Sequence, residues 1–491
     1  MYINRWLPTH AHFRPEKEAI ICAETGRRLT YSALYAETLA AAKTLLEMGV
    51  EQGDRVAILA QNDPRFFVLF FAAARIGAIT VPLNWRLSKK EQEVILSDCD
   101  AKVLYVDGKF APESVPHHEN TRHLDTLGLS PASEAEVPEA EGLEESTPVG
   151  IFYTGGTTGI PKGALLTHAS VFWNAQNTIA GWGLSPDDVA PIFTPLFHIG
   201  GLNVFATPMF ALGGTIVLTA SFDPDKALQL IVDEKCTILF LVPTMYHMVK
   251  ESPGFNPDKL RRLKIMISGG AACPKPLFEA YWSHGLPLRQ GYGLTEAGPN
   301  TFGIEQKQAE ARVQTVGRPL PYVNVRLKKA DGSFAAVGEV GELQIKGGHV
   351  MGGYWRRPDA TAAVLSDDGW LSTGDLAFRD EDGYYTICGR QKEMFISGGE
   401  NVFPAEIEEV LLGHPHIAEV AVIGIADEKW GEVGRAHLVA RAGAPENLSA
   451  SLKEFCRERL AGYKIPKEFR VEAELPKSAA GKVLKTELVN R

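Results

Sequence analysis

Residues 153–168, YTGGTTGIPKGALLTH, gather hydroxyls, glycines and one lysine at a spacing suited to wrapping a polyphosphate. Thr154, Thr157 and Thr158 supply hydroxyl donors, and Gly155, Gly156 and Gly159 let backbone N–H groups approach oxygens with no Cβ in the way. Lys162 adds a point charge. The apolar run 149–153 reads as a strand, so the glycines fall where a strand ends and the chain turns. This is not a Walker A loop, whose Gly-Lys-Ser/Thr ending opens a helix: here Lys162 stands between Pro161 and Gly163.

A glycine-rich loop by itself is usually a turn with no ligand, and its meaning depends on what accompanies it. Downstream come SGGA (268–271), GYGLTE (291–296), STGD (372–375), GRQKEMFISGGENVFPAEIE (389–408) and PKSAAGKVLK (476–485). In this order the set resembles the adenylate-forming superfamily of acyl- and aryl-CoA synthetases, peptide-synthetase adenylation domains and firefly-type luciferases. The resemblance runs from LTYSAL at Leu29 nearly to the last residue.

Attaching AMP to a carboxylate requires holding the triphosphate, placing magnesium, seating the nucleoside and neutralising charge at the α-phosphorus. In GYGLTE, Tyr292 can stack on adenine, Thr295 can donate to an α-phosphate oxygen, and Glu296 is a hard oxygen ligand suited to magnesium. Gly291 and Gly293 of the same loop are counted with the nucleotide-binding residues, and Gly269, Gly270 and Ala271 after Ser268 offer bare backbone against which a flat base can lie. Asp375 follows Gly374 in what reads as a tight turn, a carboxylate fit to accept both ribose hydroxyls. Taken singly, each of these is a turn glycine or a surface charge.

The resemblance implies roles for several more residues. Asp375 and Arg390 bind ribose, and Lys482 is the adenylation lysine, whose ammonium bridges the substrate carboxylate and the α-phosphate as charge gathers in the transition state. The C-terminal domain rotates about Lys392 and withdraws Lys482; Gly398 and Gly399 then admit a pantetheine arm, and Trp430 offers a surface for the CoA nucleotide. Arg86 in NWRLS and Lys464 in GYKIP are candidates for CoA phosphates, with plain surface charge as the equal alternative. His198 in PLFHIGG gates the acyl pocket, although a lone histidine among apolar residues is more often a satisfied core side chain.

The expected activity is that of a carboxylate–CoA ligase using ATP, magnesium and CoA. An acyl pocket near His198, Gly201, Val242, Gly293 and Met394 would be apolar with no obvious cation, which suits a medium- or long-chain fatty acid. An aryl acid, o-succinylbenzoate included, is the second reading. A peptide-synthetase module is disfavoured because no carrier domain follows Arg491 and no aspartate after FHIGG anchors an α-amine. Luciferase-type oxygenation would use the same motifs, whereas Lys482, Glu296 and Asp375 speak against a regulator that has lost catalysis.

Elements must position these residues. At 491 residues the chain exceeds the size of one core, and 45% hydrophobic with 22% charged residues describes a globular protein, not a disordered one. No apolar run reaches the ~20 residues of a spanning helix, and the N-terminus lacks a secretory apolar segment. The expectation is a cytoplasmic enzyme whose membrane contact, if any, is peripheral; a homodimer is left open. The six cysteines form no CxxC pair, against zinc or a disulfide framework. A net charge of −10 disfavours nucleic acid and obliges polyanionic substrates to find local cations, for which Lys162, Arg390 and Lys482 serve.

Strand-like runs at 55–59, 78–81, 102–106, 215–218 and 237–242 alternate with helical patterns at 64–76 and 224–234, the rhythm of parallel sheets covered by helices. Residues 112–148, rich in proline, glycine and glutamate, read as a solvated surface excursion. From about 320 to 389 shorter strands imply a β-rich subdomain, and the final hundred residues read as separate, with strands at 417–425 and 435–439 and an amphipathic helix at 448–460. The fold expected is α/β: an N-terminal domain, 1–389, of αβαβα layers plus the β-rich part, and a small mobile α+β domain, 390–491.

Overall fold

The computed structural model describes residues 2–154, 161–397, 400–445, 447–477 and 483–489. A six-stranded sheet runs in the order Thr121–His123, Val103–Val106, Arg55–Leu59, Ile79–Pro82, Pro148–Thr154, Lys162–Thr167, parallel except for the last pair. A four-stranded sheet orders Arg28–Thr30, Glu18–Cys22, Thr215–Leu218 and Val189–Ile192. A parallel three-stranded sheet of Ile238–Leu241, Ile265–Ser268 and Leu288–Gln290 lies beside it, tied by Thr237 and Val189 exchanging hydrogen bonds.

The helix Pro64–Arg75 shows why the sheets face one another. Asp63 caps it by accepting from Arg65 N, Pro64 fits the first turn, and every residue from Phe66 to Ala74 is buried. A helix apolar all round must have core on all sides. Its aromatic rings pack in one cluster with Val56, Ile58 and Tyr105 of the six-stranded sheet and with Ile20 and Ile216 of the four-stranded one. These are the alternating helix and sheet layers expected for the larger part.

The expected β-rich region is an antiparallel four-stranded sheet, Asn324–Lys328, Gly341–Lys346, Leu371–Arg379 and Tyr385–Arg390. The last part has its own core: Phe395, Ile407, Leu411, Val422, Leu438 and Leu452 pack between a five-stranded sheet and the helices Pro404–Leu412 and Leu448–Arg457.

The acidic stretch differs from its reading as a solvated excursion. Thr121–His123 adds a parallel edge strand, Leu124 and Val137 are fully buried, and Arg75 Nε donates to Val137 O at 2.8 Å. Two of its glutamates are engaged in ion pairs, Glu136 with Lys43 at 2.8 Å and Glu139 with Arg5 at 2.8 Å. Among the described residues, no helix is long and apolar enough to cross a membrane.

Candidate active site

Thr154 closes one strand and Lys162 opens the next, and the two are register partners across an antiparallel pair. The two strands flanking the glycine-rich segment are thus tied at its two ends, with Thr154 Oγ1 donating to Lys162 O at 3.4 Å. Gly155, Gly156, Thr157, Thr158 and Gly159 lie outside the described residues, as do Gly398, Gly399 and Lys482. The hairpin base is braced from the side. Leu165 N donates to Gly353 O at 2.9 Å and Trp355 N to Gly163 O at 2.8 Å. Asp98 gathers both ends: it accepts from Tyr153 Oη at 2.6 Å, pairs with Arg357, and its carbonyl accepts from Trp355 Nε1 at 3.2 Å. Burial, then the hydrogen bond to Asp98, pushes the Tyr153 hydroxyl well up, so it remains a donor.

This bracing sets Tyr354 beside the loop. Lys162 Nζ lies 5.3 Å from the Tyr354 ring centroid, and Tyr354 Oη donates to Glu296 Oε1 at 2.9 Å. Burial, reinforced by the Glu296 charge, raises the Tyr354 hydroxyl far above its ordinary range. Thr295 and Glu296 sit in the 3-10 turn Thr295–Ala297, held by Met351 N donating to Glu296 O at 2.8 Å. Thr154, Lys162, Thr295 and Glu296 therefore converge, and Tyr354, absent from the sequence reading, is what joins them. The residues fit magnesium: one carboxylate, partly hydrogen-bonded and partly exposed, suits an ion that keeps waters and phosphate oxygens as its other ligands. Among the described residues no cluster of three or more His, Cys, Asp or Glu side chains could form an all-protein metal cage.

Four residues back in the same loop lies a second group. Tyr292 Oη donates to Asp375 Oδ2 at 2.5 Å, and Arg390 Nε pairs with Asp375 Oδ1 at 2.9 Å. The Tyr292 hydroxyl is pushed well up by burial and by Asp375, and its ring meets Phe302 edge-on at 5.6 Å. Asp375 is 5% exposed, so its charge is held by these two partners in a largely buried setting. STGD is not the tight turn its sequence suggests. Gly374 takes φ +70° as a kink inside the nine-residue strand Leu371–Arg379, where Asp375 is register partner of Arg390. Pairing with both neighbouring strands carries the chain through the kink.

Ser268 ends the middle strand of the three-stranded sheet, and its carbonyl accepts from Gly291 N at 2.7 Å. That bond lays Gly269, Gly270 and Ala271 alongside the loop of Tyr292, with Gly269 buried and the next two exposed.

His198 precedes the short helix Ile199–Gly201, which runs on into a π-helical turn, Leu202–Ala206. Gly201 admits no side chain, since a Cβ would stand 2.3 Å from Pro195 O; at Gly293 it would meet the Pro299 carbonyl at 2.3 Å. Phe240, unnoticed in the sequence, fills the space between segments: a Cβ on Gly200 or Gly269 would press its ring at 3.3 and 3.1 Å. Val242 Cγ1 stands 3.5 Å from the Cβ position of Gly270. The structure thus brings His198, Gly201, Val242 and Gly293 to the same end of the sheets. Met394 stands apart in sequence and element, in the turn after Arg390 that leads into Phe395–Ser397.

The CoA candidates divide. Arg86 is exposed and stacks 4.9 Å over Trp85, which meets Phe197 and through it His198. Trp430 is 37% exposed, its backbone N donating to Asp427 Oδ1 at 2.9 Å, with Lys429 Nζ and Lys467 Nζ at 5.3 and 5.6 Å from its ring. Lys467 also lines a cavity of about 420 Å³ with Lys453 and Arg457, a basic setting that no motif announced. Lys464, in contrast, is committed to Glu406 at 2.6 Å. Lys392 is exposed.

The model of the AMP-binding enzyme family matches residues 7–355, and that of the AMP-binding enzyme C-terminal domain matches 406–482. Feruloyl-CoA synthase of Amycolatopsis sp is 38% identical over 100% of this chain and 99% of its own length. Indoleacetate–CoA ligase of Aromatoleum aromaticum is 37% identical over 99% and 98%. The o-succinylbenzoate CoA synthetase of Bacillus subtilis, solved with its acyl-adenylate intermediate, superposes with a TM-score of 0.90 at 33% identity over 98% and 97% of the two chains. The same enzyme has been solved with ATP and a magnesium ion. With both family models matched along its length and the fold shared, the chain belongs to the AMP-binding enzymes of the adenylate-forming superfamily and is an ATP-dependent, AMP-forming carboxylate–CoA ligase.

Proposed function

We propose that the chain activates an aryl or arylalkyl carboxylic acid, and that the loop 291–296 is the axis of its site. The observation that carries the site assignment is that this loop touches Asp375 and Arg390 through Tyr292, and Tyr354 and Lys162 through Glu296. A carboxylate–guanidinium pair at one end suits ribose. A cation and a metal-competent carboxylate at the other suit phosphates, and Gly269 to Ala271 give the base a flat wall.

In this reading an acid oxygen attacks the α-phosphorus, the bond to the β-phosphate breaks, and pyrophosphate leaves with the electron pair. Thr295 donates to an α-phosphate oxygen, and Lys482 neutralises the charge growing there, an interaction stronger in the transition state than before it. Magnesium, when bound, screens the phosphate oxygens beside Glu296 and eases departure of pyrophosphate. No side chain need remove a proton, because the acid is already ionised near neutral pH. Turning about Lys392, at a domain boundary following Gly389, withdraws Lys482; the CoA sulfur then adds to the acyl carbon, its proton passes to solvent, and AMP departs. Trp430 with Lys429 and Lys467 receives the CoA nucleotide.

Two observations favour an aryl or arylalkyl acid over the fatty acid expected from the sequence. The full-length relatives at 37–38% identity are named for ferulate and indoleacetate. The rings of Phe197 and His198 lie 4.5 Å apart and the Phe240 ring packs beside Gly200 and Gly269, which supplies aromatic surface near the proposed acyl pocket. The test is AMP release, with and without CoA, across benzoate, cinnamate, ferulate, indoleacetate, octanoate and palmitate. The reading requires the aryl or arylalkyl acids to exceed both aliphatic acids in kcat/KM; preference for octanoate or palmitate overturns it.

A further inference from the structure

Beyond Lys482 the chain returns to the C-terminal sheet and is fixed there by more than packing. Lys485, first residue of the short helix Lys485–Leu488, sends its ammonium between Glu393 at 2.7 Å and Glu408 at 2.8 Å. Glu408, on the helix Pro404–Leu412, also accepts from Val422 N at 2.8 Å, so its carboxylate is oriented by the sheet as well. The Lys485 side chain is only 19% exposed. Burial pulls its pKa down, but the fields of Glu408 and then Glu393 outweigh this and raise it, so the ammonium persists at all ordinary pH. The helix is further seated by Leu488, fully buried with Ala421, Ile423 and Leu475.

Two backbone contacts close the chain across the base of the segment 478–482. Leu484 N donates to Pro476 O at 2.8 Å, and Lys477 bridges Val483. Lys477 Nζ in turn pairs with Glu419 at 2.7 Å on the long strand Ile417–Asp427. On the other side Glu393 directly follows Lys392, and its N–H donates to Arg390 O at 3.0 Å.

We infer that Lys485 is a positioning residue for the adenylation step: its bridge to Glu393 and Glu408 locks the base of the Lys482 segment to the first residue beyond the hinge. The inference rests on the reading of Lys482 and Lys392 given above. Rotation about residue 392 reaches Glu393 first, and the bridge passes it to Lys485, three residues beyond Lys482 in the sequence. Both carboxylates belong to the moving part, so the bridge is made in every orientation of that part and stores no preference between them. A misplacement of about 1 Å in a catalytic group costs on the order of 10²-fold in rate. Thioester formation, performed after Lys482 has withdrawn, is indifferent to this coupling.

The experiment compares two half-reactions in the full-length enzyme: acid-dependent ATP–pyrophosphate exchange, and thioester formation from supplied acyl-AMP and CoA. Lys485→Gln should lower exchange by about 10²-fold while thioester formation stays within about twofold, and Lys485→Arg should restore exchange to within about tenfold. Should Lys485→Gln fail to fold, Glu393→Gln, which leaves Glu408 as partner, must show the same one-sided loss in smaller measure. Equal loss in both half-reactions, or loss in neither, overturns the coupling. Lys482→Ala distinguishes this from failure of the underlying reading: if it spares exchange, the assignment of Lys482 falls; if it abolishes exchange and Lys485→Gln does not, only the coupling falls.

Discussion

Tyr354 Oη donates to Glu296 Oε1 at 2.9 Å, joining residues 58 apart in the chain and fixing one of the two carboxylate oxygens. A hydrogen bond to a charged group is worth about 1.5–3 kcal/mol. Tyr354→Phe should therefore raise the magnesium concentration for half-maximal pyrophosphate exchange by roughly tenfold, with little change in melting temperature. Exchange measured against magnesium decides it; an unchanged requirement removes Tyr354 from the metal site.

Asp375 holds the Tyr292 hydroxyl and the Arg390 guanidinium at once. Ribose is present in ATP and in acyl-AMP alike. Asp375→Asn should thus weaken both half-reactions, each by roughly 10- to 100-fold in kcat/KM, in contrast with Lys482→Ala, which should abolish exchange alone. Impairment confined to one half-reaction would show that Asp375 does not read the nucleoside.

Trp430 lies between two lysines on the surface of the C-terminal part. Base stacking on an aromatic side chain is worth about 1–3 kcal/mol, so Trp430→Ala should raise KM for CoA by roughly 5- to 100-fold and leave exchange intact. Lys467→Ala should do the same with a shallower dependence on salt. Initial rates at varied CoA and ionic strength are the measurement, and an unaltered KM in both variants dismisses this face.

Burial holds the imidazoles of His168 and His349 down to about 4, below their ordinary value. Both are therefore neutral in the folded chain, and unfolding lets them take up protons. Their stabilising contribution is complete above about pH 6.5 and is lost as pH falls toward 4, amounting to about 2 kcal/mol per histidine by pH 5. Denaturant midpoints at pH 7 and pH 5 should lie closer together in His349→Gln than in the unaltered chain. Equal separation would contradict a buried neutral His349.

What could be read from the sequence was local. The run 215–218 forms its strand to the residue because it is rich in β-branched residues, Ile216 to Leu218 are apolar, and two glycines precede it. The helical pattern at 224–234 forms as Pro224–Asp233, with the Asp223 side chain accepting from Lys226 N as its cap. The motif residues Lys162, Tyr292, Glu296, Asp375 and Arg390 were visible because each stands in a distinctive string. Long-range pairings were not: Asp98 meets Arg357 across 259 residues and Lys485 meets Glu393 across 92, and which charges pair at such separations leaves no trace in composition or period. Leu124 and Val137 were overlooked because isolated apolar residues among charges make no periodic pattern, although each is anchored in the main core.

The antiparallel pairing of Thr154 with Lys162 has a consequence for how the triphosphate is recognised. Strand dipoles alternate and nearly cancel, so no macroscopic field from aligned peptides points into this loop, as it would from a helix amino terminus. Attraction over distance must then come from discrete ammonium and guanidinium groups, on an enzyme whose overall charge of −10 repels the nucleotide. Nucleotide capture should accordingly speed up as ionic strength rises through the range where net repulsion is screened, and slow again once the local cations are screened too.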